Sequence, residues 1–293
     1  MNYNQLGNSE IRVSELSFGC MSLGTDDSYN ANLLRYAFEK GINFFDTADL
    51  YNKGQNEETV GKALREIRSD VIIASKVGNQ WREDGSGWDW NPSKEYILSS
   101  IDKSLKRLQT DYLDLYQLHG GTTDDPIDET IEAFELLKEQ GKIREYGISS
   151  IRPNVIREWI SRSNMISVMS QYSLLDRRPE EETFKLLKEN NISVLVRGAV
   201  AQGLLIDKPP KEYLGYTEKQ VLAMQRLLKE LGNPVSQSMA FVLDNPAVTA
   251  SVLGLRTEEQ LEQSLEALAE SIIPEQIELI RSLLFPNTYQ IHR

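Results

Sequence analysis

The chain is poor in the residues that cross-link folds or hold metals. Its 293 residues include one cysteine, Cys20, and two histidines, His119 and His292. A lone cysteine excludes an internal disulfide and fits a reducing compartment. Two histidines, one of them in the terminal tail, leave a catalytic metal short of ligands, so no metal site is expected. Positive charge is also scarce. Lys and Arg number 32 against 44 Asp and Glu, giving a net charge of −12 and a pI of about 4.9. That balance disfavours nucleic acid and anionic membranes as partners, and it requires local positive charge wherever an anionic cofactor binds. No apolar run approaches the roughly 20 residues that span a bilayer. The polar start MNYNQLGNSE lacks the charged-then-apolar pattern of a signal peptide. The expectation is a soluble, cytoplasmic protein, with a monomer favoured because no exposed apolar stripe compels a dimer.

Two phosphate-binding signatures are missing as well. The first strand-to-helix turn reads FGCMSLGT, which lacks the G-x-G-x-x-G spacing of a doubly wound dinucleotide fold and the Lys-Ser/Thr ending of a P-loop. What is present is a regular alternation. A Gly7-Asn8 turn between two short segments predicts an N-terminal β-hairpin. Apolar segments then follow at Leu16–Phe18, Ile42–Phe45, Val71–Ala74, Leu113–Leu118, Ile143–Ile148, Met165–Ser170, Ile192–Val196 and Val248–Leu253. Between and after them run amphipathic stretches, among them Asn32–Lys40, Glu57–Ile67, Lys94–Leu108, Glu180–Glu189 and Glu258–Ala269. Eight strand–helix units in about 250 residues is the count of an α/β (β/α)8 TIM barrel. Asn233–Asp244 and Pro274–Leu283 read as two extra helices. No linker divides residues 1–293, so one domain is expected.

In such a barrel the site lies at the carboxyl ends of the strands. Asp46 closes the second strand, Lys76 the third and His119 the fourth, and Tyr51 follows in the loop DTADLYNKG. Neighbouring strands are roughly 5 Å apart, so these side chains can converge. Each residue taken singly has an ordinary structural use; the grouping is what argues for chemistry. A phenol is a reluctant proton donor, with a pKa near 10. A nearby ammonium lowers that pKa, a task that suits Lys76, with Asp46 holding the lysine in place. His119 can steer a substrate oxygen toward Tyr51. A proton donor aimed at a developing alkoxide is what carbonyl reduction requires.

The segment GINFFDTADLYNKGQNEETVGKAL, with Lys76 ending the next strand and YQLHGG later, resembles the aldo-keto reductases over nearly the whole chain. The resemblance implies a (β/α)8 barrel closed below by the hairpin and NAD(P)H-dependent reduction of aldehydes or ketones. Tyr51 would be the general acid, tuned by Lys76 and Asp46, with His119 orienting the carbonyl. By position it also implies a cofactor cradle. Gly19, Cys20 and Met21 follow strand one, Ser149 and Ser150 close strand five, and Gln171 ends strand six. The loop RGAVAQGLL, with Arg197, Gly198, Val200, Gln202 and Gly203, would wrap phosphate. Gly254, Arg256, Gln260, Gln263 and Ser264 follow strand eight. Two positions depart from the family pattern. Arg197 stands where an aromatic residue stacks on the nicotinamide, and Ser150 where an asparagine is usual. Arg256 favours NADP over NAD, although Thr257 and Gln260 also form a capping-box pattern.

Three tryptophans, Trp81, Trp88 and Trp90, lie in the loop after strand three, and Trp81 is expected to face substrate with Tyr51 and His119. Met21 and Tyr29 are weaker candidates. A small-molecule carbonyl compound is the expected partner. The alternative is an NADP(H)-binding redox sensor or regulatory subunit with little turnover, which would keep the same four residues.

Overall fold

The computed structural model describes Met1–Arg293. An antiparallel hairpin of β1 (Tyr3–Gln5) and β2 (Arg12–Ser14) opens the chain. Eight parallel strands then close into a barrel: β3 (Leu16–Gly19), β4 (Phe44–Asp46), β5 (Ile72–Val77), β8 (Leu113–Leu118), β9 (Ile143–Ser149), β10 (Ser167–Gln171), β11 (Ser193–Arg197) and β12 (Val248–Gly254). Around it stand α1 (Asp27–Glu39), α2 (Gln55–Leu64), α3 (Lys94–Leu108), α4 (Ile127–Glu139), α5 (Pro153–Arg162), α6 (Thr183–Glu189), α7 (Glu218–Leu231) and α9 (Glu258–Ala269). The two extra helices are α8 (Pro234–Leu243) and α10 (Pro274–Leu283). The chain folds as the (β/α)8 TIM barrel expected. No helix is long and apolar enough to cross a membrane.

The apolar residues divide between two layers. The larger cluster fills the space between strands and helices, and includes Phe18, Phe45, Ile73, Tyr116, Phe134 and Trp159. The smaller fills the barrel itself, where Leu6, Ile11 and Val13 of the hairpin segment pack with Phe44, Ala74, Leu115, Ile166, Leu195 and Ala250. The hairpin thus plugs one end of the barrel, and the other end is left for polar side chains. Strand alternation does the sorting. On β5, Ala74 and Lys76 point inward while Ile73 and Val77 face the helices.

Three element boundaries differ from expectation for local reasons. Helix α1 starts earlier because Asp26 caps it, accepting from the Ser28 and Tyr29 amides at 3.0 Å each. Helix α2 gives way to a 3-10 turn over Arg65–Asp70. Helix α6 starts at Thr183, after a separate 3-10 turn at Arg178–Glu180 that holds Pro179. The long loop after β5 is also more ordered than its glycines suggest. It forms a second hairpin, β6 (Asn79–Trp81) and β7 (Trp88–Trp90), with Trp81 opposite Trp88.

Candidate functional site

Four of the polar residues singled out in the sequence meet at the open end of the barrel. Asp46 is the last residue of β4, and Lys76 is the penultimate residue of β5, paired in register with Gln117. Both are almost completely buried, at 5% and 1% exposure. Lys76 Nζ donates to Asp46 Oδ2 at 2.6 Å and to the Thr47 carbonyl at 2.8 Å. It also lies 5.2 Å from the centre of the Tyr51 ring. Tyr51 and His119 meet edge to face, with ring centres 5.8 Å apart and planes at 82°. The His119 amide donates to the Val77 carbonyl at 2.7 Å, which ties the residue beyond β8 to the neighbouring strand.

Burial governs the protonation of this group. It raises the Tyr51 phenol above 10.0; the Lys76 ammonium pulls in the opposite direction, as the sequence reading anticipated, but does not prevail. Burial works against the Lys76 charge too, yet Asp46 and Tyr51 together outweigh it and leave the lysine raised. Asp46 is raised by burial, with Lys76 opposing. His119 is lowered to about 3, first by burial and then by the cations Lys76 and Arg197. At neutral pH the site therefore presents a protonated phenol and a neutral imidazole beside the Lys76–Asp46 pair.

Two connected spaces open beside this group. A cavity of about 670 Å3 is bounded by Tyr51, Lys76, His119, Trp88, Trp90, Ser149, Ser150 and Arg152. A groove of about 570 Å3 runs away from it across the ends of β11 and β12. Met21, Tyr51, Met169 and Arg197 border both. The groove wall contains Gly19, Met21, Asp46, Arg197, Gly198, Val200, Gln202, Gly203, Gly254, Gln260, Gln263 and Ser264, all anticipated from sequence.

The remaining candidates are placed differently. Cys20 turns its side chain into the core, and its carbonyl accepts from Asn56 Nδ2 at 2.8 Å. Ser149 and Ser150 face the cavity rather than the groove. The Gln171 amide is engaged within the protein: Nε2 donates to Asp176 at 2.8 Å and Tyr213 at 3.2 Å, and Oε1 accepts from Arg197 at 3.0 Å. Arg256 stands outside the groove wall, its Nε donating to the Ser22 carbonyl at 2.9 Å. The capping box at α9 forms by half. Thr257 accepts from the Gln260 amide, but Gln260 Oε1 takes the Arg256 N–H instead of that of Thr257.

Trp81 corrects an expectation, for it does not border the cavity. Its indole N–H is tied to the Leu50 carbonyl at 3.3 Å and its ring lies beneath Lys53, while Trp88 and Trp90 take the cavity-facing positions. The Trp90 ring crosses above Gly120, where a Cβ would sit 3.3 Å from it; with φ at +143°, that position suits glycine alone. Tyr29 stands apart from both spaces, its hydroxyl accepting from the Glu258 amide at 3.1 Å.

Several lining residues escaped the sequence reading. Met169 precedes Gln171 by two, so strand parity alone would have pointed it inward. Lys208 adds a cation to the groove wall, beyond the loop that was singled out. Gln117 borders neither space but lies wholly buried beside Lys76, with which it is paired in register. Arg152, two residues past Ser150, had no signal beyond its position.

The groove suits a nicotinamide dinucleotide by its chemistry. Lys208, Arg197 and the amides of Gln202, Gln260 and Gln263 offer donors to phosphates and ribose, and Val200, Ile206, Leu253 and Leu255 offer apolar surface. Comparison with known proteins agrees with this geometry. Residues 15–284 match the Aldo/keto reductase family. An uncharacterized oxidoreductase of Bacillus subtilis, YqkF, is 46% identical, with both chains covered in full. The holo form of aldo-keto reductase AKR11C1 from Bacillus halodurans is 48% identical, covering 100% of this chain and 99% of its own, with a TM-score of 0.96. An NADH-specific methylglyoxal reductase of Escherichia coli is 33% identical over 71% of this chain and 70% of its own. The chain is an oxidoreductase of the aldo/keto reductase family.

Proposed function

We propose that this protein reduces a small aldehyde or ketone to the alcohol with NADPH, the proton coming from Tyr51. The observation that carries the reading is the meeting of Tyr51, Lys76, Asp46 and His119 where the cavity joins the groove. When bound in the groove, the cofactor supplies a hydride. Tyr51, kept protonated by burial, donates to the carbonyl oxygen as negative charge develops there. Lys76 stabilises the phenolate left behind, which is the favourable half of its interaction with Tyr51. Asp46 holds the lysine in place through the 2.6 Å contact. Neutral His119 is free to hydrogen-bond the substrate oxygen and orient it toward Tyr51.

The preference for NADPH rests on Arg256. Its guanidinium spends only Nε on the Ser22 carbonyl, so its terminal nitrogens remain for a 2′-phosphate beside Gln260, Gln263 and Ser264. Arg197, on the border of groove and cavity, places positive charge where the nicotinamide ring would lie. A guanidinium there tolerates the neutral reduced ring and repels the cationic oxidised one. The decisive experiment follows NADPH absorbance with purified protein across a panel of aldehydes and ketones. Oxidation of NADPH coupled to alcohol formation is expected; tight NADPH binding with no turnover on any carbonyl refutes the reading.

A further inference from the structure

The cavity beside Tyr51 and His119 is unusual in its charge. The protein carries a net charge of −12, yet none of the residues bounding this cavity is an aspartate or glutamate. Three are cationic: Lys76, Arg152 and Arg197. Lys76 is neutralised by Asp46 at 2.6 Å. The two arginines are not, although most arginines elsewhere in the chain are ion-paired, such as Arg68 with Asp114 at 2.8 Å and Arg107 with Glu57 at 2.6 Å. Arg197 spends one nitrogen on Gln171 and borders groove and cavity alike. Arg152 borders the cavity and not the groove, which places it on the substrate side of the two spaces; its other side borders a separate hollow under the tail residues Pro286 to His292.

Arg152 is also held in place. Its NH1 donates to the Gly121 carbonyl at 2.6 Å, and its backbone amide donates to Ser150 Oγ at 3.2 Å. Asp125, the carboxylate beside Gly121, is engaged by Thr122 and by the Trp90 indole. The Arg152 guanidinium is therefore half-buried, anchored by one nitrogen, and without a counter-ion. A guanidinium fixed in this way presents its remaining N–H groups as a planar fork that matches carboxylate or phosphate oxygens.

Resting on the reductase reading above, we infer that the substrate is a carbonyl compound bearing an anionic oxygen group, carboxylate or phosphate, at its far end, and that Arg152 selects it. The carbonyl end lies at Tyr51 and His119, and the anionic end at the mouth formed by Arg152, Ser150 and Thr122. The interaction is remote from the reacting carbon and equal in ground and transition states, so it acts mainly on KM.

Two matched pairs of aldehydes test this with NADPH as reductant. The first is 4-carboxybenzaldehyde against 4-formylbenzamide, which is uncharged and of similar size. The second is glyceraldehyde 3-phosphate against glyceraldehyde. The native protein is expected to favour the anionic member of at least one pair by about tenfold or more in kcat/KM, and the favoured pair identifies the anion. Arg152→Met should reduce that preference by about 10- to 100-fold, chiefly through KM. Arg152→Lys, which keeps the charge but loses the fork, should retain part of it. If Arg152→Met fails to fold, the lysine variant and the native preference, which added salt must weaken, still decide. Equal treatment of both members by the native protein overturns the inference, as does an equal loss on both members in Arg152→Met. Turnover of the neutral aldehydes alone overturns this inference and leaves the reductase reading intact. Inactivity on all four overturns both.

Discussion

Asp49 lies in the turn between Asp46 and Tyr51, is 8% exposed, and has an Oδ1 with no hydrogen-bond partner. Burial first, and then the buried Glu57 carboxylate, push its pKa from 3.8 up to about 8, against the pull of Arg107. An acid raised in this way keeps in the fold a proton that the unfolded chain releases. Its contribution to stability is therefore intact below about pH 4 and is lost as pH climbs toward about 8. At about 1.4 kcal/mol per pH unit, keeping Asp49 protonated at pH 7 costs the fold about 4 kcal/mol. Asp49→Asn substitutes a neutral group of the same shape. It should stabilise the protein by about 2–4 kcal/mol at neutral pH, the lower figure allowing for an amide N–H that finds no partner. That corresponds to a rise in Tm of roughly 3–7 °C. At about pH 4 the variant should equal the native protein or fall below it by up to about 2 kcal/mol, the cost of the unpartnered amide, and it should then gain about 1.4 kcal/mol for each unit of pH up to 7. Urea unfolding followed by tryptophan fluorescence at about pH 5, 6 and 7 measures the divergence. A variant that is less stable at about pH 7, or whose difference from the native protein does not change with pH, would show that Asp49 is ionised in the fold and refute the argument.

Tyr51→Phe should lower kcat by about 10²- to 10⁴-fold while NADPH binding, read by fluorescence quenching, changes little; substantial retained kcat removes Tyr51 from the role. Arg197→Tyr should bring the dissociation constants of NADPH and NADP+ closer together, and an unchanged ratio sinks the charge argument. Arg256→Ala should weaken NADPH by about tenfold more than NADH, as expected for one lost charged contact, while equal losses refute the assignment. The kcat/KM for reduction should stay level from about pH 5.5 to 8, because His119, lowered to about 3, is already neutral and Tyr51, raised above 10.0, is still protonated. An inflection near pH 6.5 would mark an unperturbed imidazole.

The barrel and its polar rim were legible because they depend on parity and order. A buried parallel strand reads as an apolar run, and a charged residue at its end has one place to go. Asp46, Lys76 and His119 could thus be assigned to neighbouring strand ends without any knowledge of their contacts. The groove wall beyond Gly198 and Gly254 came instead from the resemblance to the aldo-keto reductases, since nothing in strand parity or order singles those loop residues out. What stayed hidden depends on single contacts between distant parts of the chain. Trp81 and Trp88 are opposite each other in one hairpin, and which indole faces the cavity turns on whether an N–H finds the Leu50 carbonyl. Gln171 looks free in sequence, yet Asp176, Tyr213 and Arg197 all claim its amide. Arg152 carries no pattern at all; only the lack of an ion pair, in a cavity wall without acidic residues, makes it notable.

Charge shows most clearly where such reading stops. The sequence names both influences on Tyr51, an ammonium that favours phenolate and a barrel interior that forbids it, but their balance depends on depth. The fold leaves Tyr51 only partly exposed and lets its burial prevail, so the phenol keeps its proton. The same burial strips His119 of its charge, helped by the cations nearby. On the proposed mechanism the site gives a proton to an alkoxide, and it gains from both outcomes. The phenol has its proton ready, and the imidazole cannot compete as an acid. The lysine is then worth most after transfer, when the phenolate exists to be stabilised. Its position beside Tyr51 therefore makes more sense as preparation for the product of proton transfer than as a means of ionising the resting phenol.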